Sequence, residues 1–260
     1  MSDWKPDLYL SFEKERTQPA IDLAARVDAE TPRRILDIGC GPGNSTYVLQ
    51  RRWPEAEITG LDSSAAMLEQ ARAKYPDMRW VQADAAGDLS GLGLFDIVFS
   101  NAAIQWMPDH GALLKNFYAL LNEGGTLAVQ VPYTKHMHLH TDLQKLAAMP
   151  EWKPRFSTLG PTHAIHEAAF YYDILSALSP GVALWQTEYY HAMEGHKALI
   201  QWYSGTGLRP YLDCLADENV RQSFLREYEV LLRASYPPRK NGKVLFPFTR
   251  IFFMTKKQEA

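Results

Sequence analysis

Arg34-Ile35-Leu36-Asp37-Ile38-Gly39-Cys40-Gly41-Pro42-Gly43-Asn44 is an apolar run that ends in a glycine-rich turn. A helix-compatible stretch, Ser45 to Arg52, follows it. This is the pattern of the first strand, loop and helix of a nucleotide-binding α/β fold. Glycines in such a loop let the backbone turn tightly and approach a ligand that a Cβ would block. The dinucleotide fingerprint requires glycine or alanine where this chain has Asn44. Asp37, just before the loop, suits a ligand carrying an amino group better than one carrying a pyrophosphate.

The same alternation continues downstream. Glu57 to Asp62 reads as a second strand ending in an acid, and Ser63 or Ser64 caps the next helix, which runs through Met67, Leu68, Ala71 and Tyr75. Arg79 to Asp84 is a third strand, again ending in an acid. Phe95 to Asn101 is a fourth, apolar enough to be central. A helix from about Gly111 to Leu121 leads to a fifth strand, Thr126 to Val131. Upstream, Leu8, Phe12, Ile21, Leu23, Ala24 and Val27 keep helical spacing, and Pro19 predicts a break near Thr17. Thr134 to Pro161 is a polar connection, partly helical. Then come a helix (His166 to Leu178), a strand (Ala183 to His191), helical pieces from Gly195 to Tyr236, and a strand from Leu245 to Thr255.

Strands alternating with helices predict an α/β fold: a Rossmann-like, mostly parallel seven-stranded sheet with helices on both faces. The organisation expected is one domain over 1–260, with an N-terminal helical lid segment (1–30), a cofactor-binding core (33–132) and a helical cap insertion (195–236). Ligands in such sheets bind beyond the carboxyl ends of the strands, where Asp62, Asp84, Asn101 and the glycine loop all stand. Asp62 falls about 20 residues after Gly39, the separation expected of a carboxylate that accepts ribose hydroxyls. Asp84 can accept from an adenine amino group. Asp37, Gly39, Gly41 and Asn44 face the charged tail. S-adenosylmethionine has all these parts, whereas NAD has no ammonium group to match Asp37.

Composition narrows the class. The chain has 260 residues, is 46% hydrophobic and 22% charged, and carries a net charge of −3. That is no electrostatic footprint for nucleic acid. Cys40 and Cys214 form neither a disulfide framework nor a zinc spacing. No signal-like apolar segment opens the sequence, and none approaches the ~20 residues of a membrane helix. The expectation is a cytoplasmic protein, monomeric or weakly self-associating, with neither nucleic acid nor membrane as partner. His136, His138 and His140 alternate as on one face of a strand, but without a carboxylate or cysteine at useful spacing, so no metal is expected.

Leu36-Asp37-Ile38-Gly39-Cys40-Gly41-Pro42-Gly43 resembles the first motif of class I S-adenosylmethionine-dependent methyltransferases. Asp62, Gln82-Ala83-Asp84 and Phe95-Asp96-Ile97-Val98 match that family's later motifs in order and spacing. The resemblance implies S-adenosylmethionine as cofactor and S-adenosylhomocysteine as product. It adds Ser63 and Met67 beside Asp62, Ala85 beside Asp84, and Asn101 to the cofactor set. Further matches lie outside these motifs, among them Ser2-Asp3-Trp4, Gln105-Trp106, Tyr171-Tyr172-Asp173, Tyr189-Tyr190-His191 and Thr206-Gly207-Leu208-Arg209-Pro210. They are similar to the branch of the family that esterifies trans-aconitate, and so imply a small-molecule tricarboxylate as methyl acceptor.

A tricarboxylate demands cationic and hydrogen-bonding anchors, and the guanidinium fork suits a carboxylate. Arg209, Arg16 and Arg250 are the candidate anchors, although Arg16 fits the cofactor's carboxylate equally well. Tyr9, Trp106, Tyr172 and His191 are candidate walls and hydrogen-bonding groups. No catalytic acid or base is expected, because a carboxylate is already ionised at neutral pH. Simpler roles compete: Asp37 as a loop brace, Arg209 as a helix-end charge, Arg250 as a structural ion-pair partner. Rival functions are esterification of another dicarboxylate or a carrier-bound malonyl group, an NAD-dependent oxidoreductase, and a cofactor-binding module without turnover.

Overall fold

A computed structural model describes residues 13–160 and 163–259. In chain order its elements are α1 (Glu13–Arg26), β1 (Arg34–Ile38), α2 (Asn44–Arg52), β2 (Glu57–Asp62), α3 (Ala65–Lys74), β3 (Arg79–Gln82), β4 (Phe95–Asn101), α4 (His110–Ala119) and β5 (Leu121–Pro132). Then follow α5 (His138–Ala147), α6 (Ala168–Ser176), β6 (Val182–Met193), α7 (His196–Ser204), α8 (Arg209–Asp213), α9 (Glu218–Ser235) and β7 (Val244–Lys256). The strands form one seven-stranded sheet in the order β3-β2-β1-β4-β5-β7-β6. β1, β2, β3, β4 and β5 pair in parallel, and β7 pairs antiparallel to β5.

The chain divides into two compact units. The larger comprises Arg16–Pro132, Ala164–Thr187 and Arg250–Ala260; the smaller includes Tyr133–His163 and Glu188–Thr249. In the larger unit the central strands are buried on both faces. Ile35, Leu36 and Ile38 of β1, Ile97, Val98 and Phe99 of β4, and Leu127, Ala128 and Val129 of β5 have no exposed surface. That is why these segments read as continuous apolar runs instead of alternating ones. The strand order reverses between β1 and β4, which opens the crevice where open α/β sheets take ligands.

Two boundaries differ from expectation, at Pro19 and at the end of β3, and the helix cap falls on one of the two serines expected. Pro19 lies inside α1 instead of breaking it; Ala20, Leu23, Ala24 and Val27 are buried beside it, and that packing outweighs one lost backbone bond. Ser64 is the cap of α3, its Oγ accepting from Met67 N at 3.3 Å. β3 stops at Gln82, two residues before Asp84, since Asp84 Oδ1 and carbonyl accept from Ala86 N and Gly87 N and turn the chain away.

The smaller unit has its own core. Leu139, Leu143 and Leu146 of α5, Trp202 of α7, Phe224, Tyr228 and Leu232 of α9, and Phe246 of β7 belong to one buried cluster. Phe224, Tyr228 and Leu232 recur every four residues, a single stripe of α9. The Tyr228 hydroxyl donates to Leu139 O, and the Tyr236 hydroxyl accepts from Leu139 N, so paired tyrosines satisfy the first turn of α5.

Candidate functional site

The loop after β1 is fastened to β2. Gly39 N and Cys40 N donate to Leu61 O at 2.7 and 3.0 Å, and Gly41 N donates to Asp62 Oδ2 at 2.9 Å. Ser64 N donates to the other oxygen, Asp62 Oδ1, at 2.9 Å. Asp62 therefore clamps two turns at once, and each oxygen keeps a further lone pair able to accept a hydroxyl. Gly39 adopts φ +71°, and a Cβ placed there would stand 2.2 Å from Ala103 Cβ. The missing side chain lets the loop lie against the turn that follows β4.

Asp37 is fully buried. Its Oδ2 accepts from Ser45 Oγ and Thr46 Oγ1, both at 2.7 Å, while Oδ1 has no hydrogen-bond partner among the described residues. Burial pushes its pKa up to about 6; the two hydroxyls oppose that rise and the Asp62 charge adds to it. Bracing thus takes up one oxygen and leaves the other, and an ammonium group placed at Oδ1 would favour the ionised form. Ser45 and Thr46 escaped the sequence reading. Their signal was a hydroxyl pair opening the helix that follows a buried acid.

Asn44 opens α2; its Oδ1 accepts from Lys74 Nζ at 3.2 Å, while Nδ2 is buried without a partner among the described residues. Ser63 O accepts from Gln82 Nε2 at 3.3 Å, Met67 sits in the first turn of α3, and Ala85 is buried beside Asp84. Cys40 is buried, and burial together with the charges of Asp37 and Asp62 pushes its thiol far up, so it stays protonated and is no nucleophile.

Register extends the site across the sheet. Asp37 pairs with Gly60 and Phe99, Asn101 with Gln130, and Pro132 with Arg250. Residues two apart share a face, so Asp62, Asp37, Asn101, Gln130 and Arg250 all stand on one face near the carboxyl edge. Their formal charge runs from negative on β2 and β1, through neutral amides on β4 and β5, to positive on β7. Arg250 is 5% exposed.

The turn after β4 is built to hold position. Ala102 takes φ +53°, rare for a residue with a Cβ. Gln105 Nε2 donates to Ala102 O at 2.6 Å, and His110 Nε2 donates to Ile104 O at 2.8 Å. His110 Nδ1 accepts from the buried Tyr171 hydroxyl at 3.0 Å, and burial lowers the histidine's pKa. These partners fix a neutral tautomer.

The remaining candidates fall in both units. Trp106 ends the turn after β4 and Tyr172 lies on α6, each about half exposed; Arg16 lies on α1. These belong to the larger unit with every cofactor candidate. Arg209 and His191 belong to the smaller one. Arg209 opens α8 with its Nε 3.7 Å from Asp213 Oδ2, and His191 is buried in β6 with its ring 5.2 Å from Trp202. Tyr9 falls outside the described residues. His138 and His140 are helical, in α5, so they do not share a strand face. No metal-competent cluster of three occurs among the described residues, and no described helix is long and apolar enough to cross a membrane.

Residues 35–125 match a methyltransferase-domain family model. Over 261 residues, covering all of both chains, the sequence is 43% identical to trans-aconitate 2-methyltransferase of Escherichia coli. Among solved structures, the YcgJ protein of Bacillus subtilis superposes with a TM-score of 0.60 at 17% identity, covering 94% of this chain and all of that one. Phosphoethanolamine N-methyltransferase 2 of Haemonchus contortus, solved with phosphomonomethylethanolamine and S-adenosylhomocysteine, gives 0.53 at 17% identity, covering 93% of this chain and 53% of that one. The two structures speak for the fold alone. Full-length relatedness to a methyltransferase removes the oxidoreductase reading. The chain belongs to the trans-aconitate 2-methyltransferase family and is an S-adenosylmethionine-dependent methyltransferase.

Proposed function

We propose that this enzyme methyl-esterifies one carboxylate of trans-aconitate, releasing the monomethyl ester and S-adenosylhomocysteine. The observation that carries the reading is 43% identity over the entire length to a protein named for that substrate. The gradient of charge across the strand ends supports it. Asp62 and Asp37 suit the hydroxylated and cationic parts of the cofactor, and Arg250 suits an anionic acceptor.

When bound, the cofactor supplies a sulfonium-activated methyl group. Gly39 and Gly41 give its tail close backbone approach, Asp37 Oδ1 faces its ammonium, Asn44 Nδ2 is a donor available to its carboxylate, and Asp62 accepts its ribose hydroxyls. Ser63, Met67, Asp84 and Ala85 take the adenosine end, and Asn101 stands at the strand end towards the acceptor. Arg250, Arg16, Trp106 and Tyr172 of the larger unit are the acceptor's candidate anchors and walls, and Arg209, His191 and Tyr9 are candidates from the sequence alone.

No proton transfer is needed, because a carboxylate of pKa near 4 is ionised at neutral pH. His110 supports this, being neutral and engaged at both nitrogens. Rate then comes from alignment and from replacing water around the carboxylate by fixed dipoles. The test is transfer of label from methyl-labelled S-adenosylmethionine across a panel of organic acids, with the ester identified. The expected result is preference for the tricarboxylate, with kcat flat in pH once the acceptor is ionised. Equal use of monocarboxylates overturns the anchor assignment, and turnover restricted to a malonyl-loaded carrier favours the alternative acceptor.

A further inference from the structure

Gln130 has an unusual position. It lies within Thr126–Pro132, a run of β5 buried along its length, and is itself completely buried. Neither its Nε2 nor its Oε1 has a hydrogen-bond partner among the described residues. An interior carboxamide with both ends unmet forfeits its hydration without compensation and destabilises the fold relative to a satisfied one. An apolar residue of the same size would fill that place in the sheet with no such cost. Neighbouring amides share the condition: Asn101 Oδ1, paired in register with Gln130, and Gln105 Oε1 on the turn after β4 also lack partners among the described residues. Ala102 N donates to Gln130 O at 3.0 Å, so these groups are tied to one turn. That turn is the one Gly39 packs against.

Position on the sheet says which ligand Gln130 serves. The cofactor candidates occupy β2, β1 and the turns beside them, and Gln130 is one strand beyond β4, on the side of Arg250. We propose that Gln130 is an acceptor-binding residue: its Nε2 donates to the oxygen of the accepting carboxylate that does not attack. This rests on the carboxylate reading above. An amide suits that task better than a cation does. A full positive charge against the nucleophilic carboxylate would stabilise the ground state that must lose its charge in the reaction, whereas a neutral donor orients the group at lower cost. Cations serve the carboxylates that stay ionised, and Gln130 serves the one that is esterified.

The test uses Gln130→Met, which keeps the volume and removes both polar atoms, and Gln130→Glu, which keeps the shape but replaces the donor. Wild-type turnover across the acid panel is measured first and by itself decides the carboxylate reading. Whatever acceptor it identifies is then used with the variants. For Gln130→Met the expected results are an unfolding temperature of the free protein equal to or above wild type, S-adenosylhomocysteine affinity within about twofold, and acceptor KM raised about tenfold or more. Gln130→Glu raises that KM further, and lowering the pH restores part of the loss as the new carboxyl takes up a proton. A fall in unfolding temperature with acceptor KM unchanged makes Gln130 a structural brace and overturns the proposal. Loss of S-adenosylhomocysteine affinity alone assigns the amide to the cofactor and also overturns it. No change in any of the three, the mark of an amide satisfied by buried water, overturns it as well.

Discussion

Thr46 Oγ1 donates to Asp37 Oδ2 at 2.7 Å, so the helix that follows the glycine loop is bonded to the acid that precedes it. The carboxyl's pKa, about 6, exceeds the ordinary 3.8 mainly through burial. Between those values the folded protein holds a proton that the unfolded chain has released, so this group's contribution to stability falls as pH rises through about 6. Cofactor binding runs the other way, since an ammonium group prefers the ionised acid. S-adenosylhomocysteine should therefore raise the unfolding temperature more above pH 6 than below it. Thermal-shift curves with and without ligand check this, and Asp37→Asn should flatten the difference.

Gly39→Ala places a Cβ 2.2 Å from Ala103 Cβ at a φ of +71°. The strained backbone and the clash together should cost about 2–4 kcal/mol and lower S-adenosylhomocysteine affinity about tenfold or more. Calorimetry on the single variant, and on Gly39→Ala with Ala103→Gly, separates the two causes. The second glycine should recover the clash but not the strain.

Asp96 works at the opposite end of the sheet. Its Oδ2 accepts from Arg33 N and Arg34 N at 2.7 and 2.9 Å, and its Oδ1 from Asn122 Nδ2 at 2.7 Å. Burial alone would raise its pKa, but these bonds hold it below the ordinary carboxylate range. Its stabilisation is accordingly present at neutral pH and lost in acid. Asp96→Ala should lower stability by about 1–3 kcal/mol in denaturant titrations while leaving cofactor affinity unchanged. An acid within a family motif would then be a brace and not a ligand.

Arg209→Ala should raise the acceptor's KM about tenfold or more, by loss of a charged anchor, and leave S-adenosylhomocysteine binding unaltered. Arg209→Lys should recover only part, because an ammonium cannot reproduce the fork. Steady-state kinetics with the acceptor varied checks both. An unchanged KM would return Arg209 to the role of partner to Asp213.

Parallel strands announce themselves because they are buried on both faces. β2 and β4 fall where the sequence predicts them, Glu57–Asp62 and Phe95–Asn101. The glycine loop was equally plain, since its chemistry is contiguous. Less legible were features made between distant segments. Ser45 and Thr46 acquire meaning only when α2 folds back on Asp37. Gln130 drew no notice within Leu127-Ala128-Val129-Gln130-Val131, because its unmet bonds exist only once β4 and β7 enclose it. Pro19 misled because propensity is local, and the burial of Ala20 and Leu23 that overrides it is not.

Strand order also carries a cost during synthesis. β1 to β5 are contiguous in the chain and can pair as they leave the ribosome, but β5 takes its other partner from β7, at the far end of the sequence. Until Val244–Lys256 emerges, β5 presents an apolar edge of unmet backbone groups, the kind of surface on which nascent chains associate with one another. Truncation before β7 should therefore yield insoluble protein instead of a working cofactor core, although every cofactor candidate lies upstream of it.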